Sequence, residues 1–109
     1  MRSSVATAVL LSMMTVPVNA QATMVYSLGD GQESCANWLS SPSNEVYGGT
    51  WILGFWTAGN AFGQTGQVGS STDGAGIIAS VKQLCLSDPA LNLMLATYTV
   101  FNRFAKAGR

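Results

Sequence analysis

The stretch over residues 47–62, read as YGGTWILGFWTAGNAF, constrains the fold more than any other part of the chain. It holds two of the three tryptophans, and its side chains recur at four-, four-, three- and four-residue steps: Tyr47, Trp51, Phe55, Ala58 and Phe62. This spacing predicts one face of a helix. Ile52 and Trp56 lie beside that face and Leu53 lies on another side, so the helix is apolar nearly all round. Because such helices are usually buried, we predict a central core helix with other helices wrapped on it.

Small residues in this stretch indicate where a neighbouring helix approaches and where the core helix begins. Gly54, Ala58 and Ala61 fall on one narrow strip, which predicts the close approach of another helix. The glycine pair at positions 48–49 is a poor helix former, so we expect the regular helix to begin at Thr50. The stretch is also shorter than the roughly 20 residues that a membrane-spanning helix needs.

Residues 1–20 have the pattern of a secretory signal peptide. A basic second residue precedes a short apolar run over 5–16, and Val18 and Ala20 fit the positions before a signal-peptidase cleavage site. We predict cleavage after Ala20, with Ala22 as the alternative site, and a periplasmic protein. The competing interpretation is an N-terminal anchor helix, but the apolar run is short and ends at a proline.

Residues 21–109 make one small domain, and their charges and cysteines limit what the domain can bind. Five carboxylates stand against four cations, with no basic patch that could follow a phosphate backbone, so we expect no nucleic-acid partner. Cys35 and Cys85 form an even pair, which indicates a disulfide in an exported chain. The alternatives are a zinc site, which needs four ligands in a chain without histidine, and a redox pair, which usually has Cys-x-x-Cys spacing. We expect no membrane span after signal removal.

A short helix is predicted before the core helix. It covers residues 33–39 and carries Cys35, Trp38 and Leu39 on one face, with Asp30 as its N-cap. Residues 40–44 are Ser-, Pro- and Asn-rich, which predicts a loop between the two helices.

Two further helices are predicted after the core helix. Thr72 or Asp73 caps the first, whose apolar residues follow helical spacing: Ile77, Ile78, Val81, Leu84 and Cys85. The last helix is predicted from Pro89 to about Lys106, with Asp88 as its cap. Its main stripe is Leu91, Met94, Leu95, Tyr98, Phe101 and Ala105, widened by Leu93, Val100 and Phe104. Gly108 stands where a helix C-terminal glycine belongs. The expected fold class is therefore all-α, a small single-domain bundle of about four helices with one disulfide.

Between these helices, residues 59–76 are rich in glycine and polar residues. Six glycines in 18 residues predict a flexible polar loop. It is not a nucleotide loop, because it lacks the lysine that such a loop places on phosphates. A loop this long in a small domain is either a mobile connector or functional. In the second interpretation its partner-binding residues are Gln64, Thr65, Gln67 and Ser70.

The residues needed for most catalytic sites are missing. The chain has no histidine, so Ser-His-Asp and Cys-His sites within it are impossible, and Gly-x-Ser-x-Gly does not occur. Asp30 and Glu33 are the only neighbouring carboxylates that could support glycoside chemistry, but a role at a helix start is the more ordinary interpretation. The tryptophans could stack on sugar or base rings, but their helical spacing favours the core. We expect no catalytic site, no metal and no cofactor.

Four motifs spread over residues 34–89 resemble small exported bacterial proteins. They read Ser34-Cys35-x-x-Trp38-Leu39, Trp51-Ile52-Leu53-Gly54-Phe55-x-x-x-x-Asn60, Thr72-Asp73 and Cys85-x-x-Asp88-Pro89. The pattern is similar to the Tai-type immunity proteins of type VI secretion and, more distantly, to HdeA-like periplasmic proteins. The chain departs from it at Ser80 and Leu84, where the family often has tryptophan and tyrosine. The resemblance implies a helical domain with Cys35 bonded to Cys85, a periplasmic home and a binding role.

Two functions follow from that resemblance, and a third is independent of it. The first is a non-catalytic binding protein, of the kind that inhibits a secreted cell-wall amidase effector by occupying its cleft. The second is a periplasmic acid-stress chaperone, which needs many titrating carboxylates, whereas this chain has five. The third is an enzyme, which the missing histidine disfavours. We therefore expect a protein partner. A further alternative is that the chain is an exported protein with a structural role.

Overall fold

A computed structural model describes residues 25–109 of the chain, and the predicted signal peptide over residues 1–20 lies outside them. The described residues form a 3₁₀ turn and four α-helices: Gly29–Gln32, then α1 (Cys35–Trp38), α2 (Pro42–Phe62), α3 (Gly74–Ser87) and α4 (Leu93–Lys106). Residues 25–109 contain no β-strand beyond one isolated bridge between Ser34 and Asn92. The predicted all-α fold of about four helices is confirmed. None of these helices combines the length and apolar character needed to cross a membrane.

The first helix, α1, is shorter than predicted and has a different cap. The Ser34 hydroxyl accepts the Asn37 amide N–H at 3.0 Å, whereas Asp30 lies in the preceding 3₁₀ turn. The prediction of Asp30 as the cap is therefore wrong. The backbone of Glu33 is extended, so the helical dihedral angles begin only after Ser34, whose side chain is the one within reach of the first turn.

The core helix, α2, begins eight residues earlier than the predicted Thr50. The Ser41 hydroxyl accepts the Asn44 N–H at 3.1 Å, and Pro42 occupies the first helical turn, where its missing N–H costs nothing. The predicted loop over 40–44 is therefore mostly helix. Gly48 lies inside the helix because the Trp38 ring packs against its backbone, where a side chain would overlap the indole. Tertiary packing here outweighs the poor helix propensity of glycine.

The buried face of α2 is not the predicted aromatic stripe. Ile52 and Trp56 are buried, whereas Tyr47 is 66% exposed and Phe62 is 92% exposed. Trp51 and Phe55, in the middle of the stripe, are half-buried. The helix therefore flanks the bundle, with one side buried and the stripe along its boundary with solvent.

The predicted small-residue strip also faces outward. Gly54 and Ala58 are exposed, and nothing lies within 4 Å of the position of a β-carbon at Gly54. Close approach occurs instead at Gly48 and at Gly59, where a β-carbon would lie 2.8 Å from the Phe101 ring. These glycines lie on the same face as Ile52 and Trp56, so the buried face of α2 contains glycines as well as large apolar residues.

The third helix, α3, is covalently linked to α1. The Asp73 side chain caps α3 by accepting the Gly76 N–H at 2.8 Å. Of the two predicted caps, Thr72 and Asp73, the second is therefore confirmed. Cys85 is bonded to Cys35 with a Cα–Cα separation of 5.0 Å, and both residues are fully buried. The predicted disulfide is confirmed.

The last helix, α4, begins at Leu93, because Asn92 rather than Asp88 is its cap. The Asn92 side chain accepts the Leu95 N–H at 2.8 Å. The segment that was predicted to be its first turn instead accepts hydrogen bonds from the start of α1. The Cys35 N–H donates to the Leu91 carbonyl at 2.7 Å, and the Ala36 N–H donates to the Pro89 carbonyl at 3.0 Å.

The buried face of α4 is also shifted from its predicted stripe. Leu93, Met94, Val100 and Phe104 are buried as expected, but Tyr98 is 40% exposed. Thr97 is fully buried in the same face, and its hydroxyl donates to the Leu93 carbonyl at 2.7 Å. The helix ends at Lys106, and Gly108 follows it with a positive φ of 67°, as expected for a glycine after a helix C-terminus.

Candidate functional site

The chain between α2 and α3, residues 63–73, contains all four predicted partner-binding residues and is called the contact loop below. It begins at Gly63, whose N–H donates to the Gly59 carbonyl at 2.8 Å. A side chain at Gly63 would overlap that same carbonyl oxygen, so glycine is required where the helix ends. Phe62, in the last turn before this point, is 92% exposed and makes no part of the core.

The middle of the contact loop is attached to α2 through Val68. The Asn60 carboxamide brackets that residue: its oxygen accepts the Val68 N–H and its nitrogen donates to the Val68 carbonyl, both at 2.9 Å. The Trp56 indole N–H donates to the same carbonyl at 2.8 Å. The Val68 side chain is only 5% exposed and belongs to the core. Composition predicted a flexible loop, but these three bonds hold its centre against the bundle.

The second half of the contact loop is attached to the chain after α4. The Gly69 N–H donates to the Arg109 main-chain oxygen at 3.0 Å. Gly69 has φ of 91°, and a β-carbon there would lie 2.8 Å from the Trp56 indole nitrogen. Both the conformation and the close approach require glycine. Arg109 is held in turn by its own N–H, which donates to Phe104 at 2.9 Å, and by its guanidinium, which lies over the Phe104 ring at 4.1 Å.

These attachments leave the four predicted contact side chains in solvent: Gln64, Thr65, Gln67 and Ser70 are all exposed. Thr65, Gln67 and Ser70 line one groove between the contact loop and residues 105–109, which are called the C-terminal turn below. Gln64 lies outside this groove. No residue from 63 to 72 is charged. The arrangement offers hydroxyl and carboxamide groups on a backbone whose centre is fixed.

Sequence reasoning missed three residues that shape this surface. Phe62 was assigned to the core, Trp56 was assigned a packing role only, and Asn60 was given no role. The available signal was a carboxamide one turn after Trp56, at the end of a helix and before a glycine-rich loop. A carboxamide can donate and accept at once, which is what bracketing a backbone residue requires.

The other predicted candidates, Asp30 and Glu33, lie at the opposite end of α2. They line a small cleft of about 40 Å³ together with Asn37, Trp38, Asn44, Tyr47, Gly48 and Leu93. Neither carboxylate takes part in the one ion pair found among residues 25–109, which joins Lys82 to Glu45 at 2.9 Å. Over the same residues, no group of three or more His, Cys, Asp and Glu side chains is placed to hold a metal ion.

Comparisons with known proteins found no matching family model, and no curated protein or solved structure that matches the chain significantly.

Proposed function

We propose that this protein is an exported, non-catalytic binding protein whose contact loop, together with Phe62, touches a protein partner. The observation that carries the proposal is the contrast within the loop. Its backbone is bonded to Asn60, Trp56 and Arg109, while its polar side chains and the neighbouring phenylalanine face solvent.

Attachment of the backbone favours binding because it lowers the entropy that a partner must remove. Fixing one residue of a free loop costs roughly 1–2 kcal/mol, so ordering a free loop of this length would consume most of a typical binding free energy. The bonds at Val68 and Gly69 have already ordered its centre in the free protein.

Phe62 supplies the apolar part of the surface. Burying an exposed phenylalanine in a partner's pocket contributes about 1.5–3 kcal/mol, and aromatic residues are frequent among those that dominate interface energies. An exposed Phe followed along the chain by exposed hydrogen-bonding side chains has the composition of an interface centre with a polar rim.

Other features support the proposed compartment and partner class. The disulfide between two buried cysteines suits an oxidising, exported environment. The chain has no histidine, which removes the most common general base and supports binding over catalysis. The resemblance to Tai-type immunity proteins makes a secreted cell-wall amidase the first partner to test.

The experiment is site-specific photo-crosslinking in the exported protein. A photoreactive phenylalanine analogue replaces Phe62 in one variant and Leu86 in the control. Leu86 is 65% exposed and lies near the far end of α3, about 18 Å along that helix from its contact-loop end at a rise of 1.5 Å per residue. Each variant is irradiated with purified cell-wall amidases and with whole periplasm.

We expect a discrete crosslinked protein from position 62 and none from position 86. Replacing Gln64, Thr65, Gln67 and Ser70 by alanine should remove that product. The melting temperature should stay nearly unchanged, because Val68 and Gly69 are kept. Crosslinking from position 86 alone would place the contact surface elsewhere, and equal capture at both positions would mean non-specific adhesion.

A further inference from the structure

The groove between the contact loop and the C-terminal turn has a chemical character that the loop alone does not have. Its volume is about 190 Å³. Four of its lining residues carry hydrogen-bond donors, and three are apolar or lack a side chain: Thr65, Gln67, Ser70 and Arg109, then Val68, Ala105 and Gly108. No carboxylate side chain lines it.

Arg109 gives this groove a charged donor that is already oriented. Its guanidinium carbon lies over the Phe104 ring, 4.1 Å from the ring centroid, which is a cation–π contact. A guanidinium has five N–H donors in a planar group that matches the geometry of a carboxylate. Among the described residues, no carboxylate forms an ion pair with Arg109.

The surroundings favour an anionic group over a neutral one. Arg103 and Lys106, in the last turn of α4, add positive charge near Arg109 and offset the negative end of the helix dipole. One main-chain oxygen of Arg109 accepts the Gly69 N–H. Arg103, Lys106 and Arg109 carry three positive charges, which outweigh the single negative charge of an α-carboxylate at position 109. The nearest acidic side chain along the loop, Asp73, lies in the neighbouring groove and is engaged in capping α3.

We propose that this groove receives an acidic side chain of the protein partner. Arg109 binds the carboxylate with its N–H edge, while the Thr65 and Ser70 hydroxyls and the Gln67 carboxamide supply neutral donors. Val68 and Ala105 offer apolar surface to the methylene groups of a glutamate. Planar, charge-assisted pairing is the strongest form of such contacts. The inference rests on the proposed function, because it names the chemistry of the surface that the contact loop recognises.

The test uses a peptide in place of the unidentified partner. A capped peptide of four glutamates is titrated into the full-length exported protein labelled with nitrogen-15, and a capped peptide of four glutamines is the control. We expect the Gly69 and Ser70 amides and the Arg109 side-chain signal to shift with a dissociation constant in the millimolar range, as suits one partly exposed charged pair. Raising the salt concentration should weaken these shifts.

Two variants with the same change of charge separate a site from general attraction. Arg109→Gln should weaken binding of the glutamate peptide about tenfold, as expected for loss of a hydrogen bond to a charged group. Arg103→Gln removes the same charge from the last turn of α4 but leaves the groove lining intact, so it should change binding less than about twofold. The main-chain bond between Gly69 and Arg109 persists in both variants, and the Gly69 amide signal checks it.

Equal weakening by Arg103→Gln and Arg109→Gln would overturn the proposal, since only diffuse positive charge would then be at work. Equal shifts with the glutamine peptide, or none with the glutamate peptide, would overturn it as well. If the glutamate peptide fails but position 62 still crosslinks, the contact surface stands and only its acidic partner chemistry is refuted.

Discussion

The two ends of α2 are held by different kinds of interaction. At the N-terminal end, the Trp38 ring packs on Gly48 and its indole N–H donates to the Glu45 carbonyl at 3.0 Å. Trp38 follows shortly after Cys35, so the disulfide to α3 secures the same region covalently. At the C-terminal end, the contact loop is held by hydrogen bonds from Asn60 and Trp56 and by one bond to Arg109.

Because the two ends are held differently, they should tolerate substitution to different degrees. A covalent bond and a ring packed against a helix backbone tolerate little substitution, whereas exposed side chains on a hydrogen-bonded loop tolerate a great deal. Binding surfaces are commonly drawn from the less stable parts of a structure. The proposed contact surface lies at the hydrogen-bonded end, and the following variants test whether the two ends differ as described.

The largest effect is expected from removing the disulfide. Replacing Cys35 and Cys85 together by serine should lower the free energy of unfolding by about 2–5 kcal/mol, a large share of what a domain this small has. Urea denaturation of the oxidised protein and of the variant measures the difference. Reductant should destabilise the natural protein and leave the variant unaffected. An unchanged urea midpoint would show that packing around Trp38 suffices at this end.

A second variant probes the packing at the same end. Gly48→Ala places a methyl group against the Trp38 ring, so we expect a loss of about 1–3 kcal/mol from overpacking. Gly54→Ala is the matched control in the same helix, because nothing lies within 4 Å of its β-carbon position. It should raise the free energy of unfolding by about 0.5–1 kcal/mol through better helix propensity. Similar melting temperatures for the two variants would contradict the assigned buried face of α2.

At the other end, Asn60→Ala should affect the contact loop more than the bundle. The substitution leaves the Val68 N–H without its acceptor, a cost of about 1–3 kcal/mol. Hydrogen exchange should accelerate at Val68 and Gly69 and remain slow at Val81 and Val100, which are buried in α3 and α4. Asn102→Ala, a half-exposed position in α4, is the control. Unchanged exchange at Val68 would mean that the valine side chain alone holds the loop.

Sequence patterns predicted which elements exist better than they predicted which faces are buried. The disulfide, the Asp73 cap and the Gly108 helix end depend on residue types with narrow structural uses, and each appears as expected. The phase of α2 was wrong because the aromatic residues looked more apolar than the glycine-containing face that is buried. A glycine that packs against an indole does not look apolar in a sequence pattern. The reason why the residue must be small is visible only once the partner helix is in place.

The contact loop shows a second limit of sequence reasoning. Its exposed polar side chains could be predicted from composition, but the attachments of its backbone could not. Val68 is held by Asn60, eight residues earlier, and Gly69 by Arg109 from the far end of the domain. The first pairing depends on how the loop folds back on α2, and the second depends on where α4 ends, and no local spacing encodes either. The choice between an immunity-type inhibitor and an acid-stress chaperone stays a prediction, because it concerns partners rather than folding.

The smallest effect on stability is expected from Phe62→Ser. This variant also tests most directly whether the two ends of α2 differ. The side chain is 92% exposed at the last turn of α2, so its removal should change the free energy of unfolding by less than about 0.5 kcal/mol. Leu86→Ser, at another exposed apolar position, should be equally mild. The two variants should differ only in binding, where loss of Phe62 should weaken affinity for the crosslinked partner about tenfold or more, because a central aromatic contact is lost. Urea denaturation and a binding titration of both variants measure this. A loss of stability at Phe62 above that at Leu86 would mean that the hydrogen-bonded end depends on its aromatic residue for folding, and the division of α2 into a structural end and a binding end would then fail.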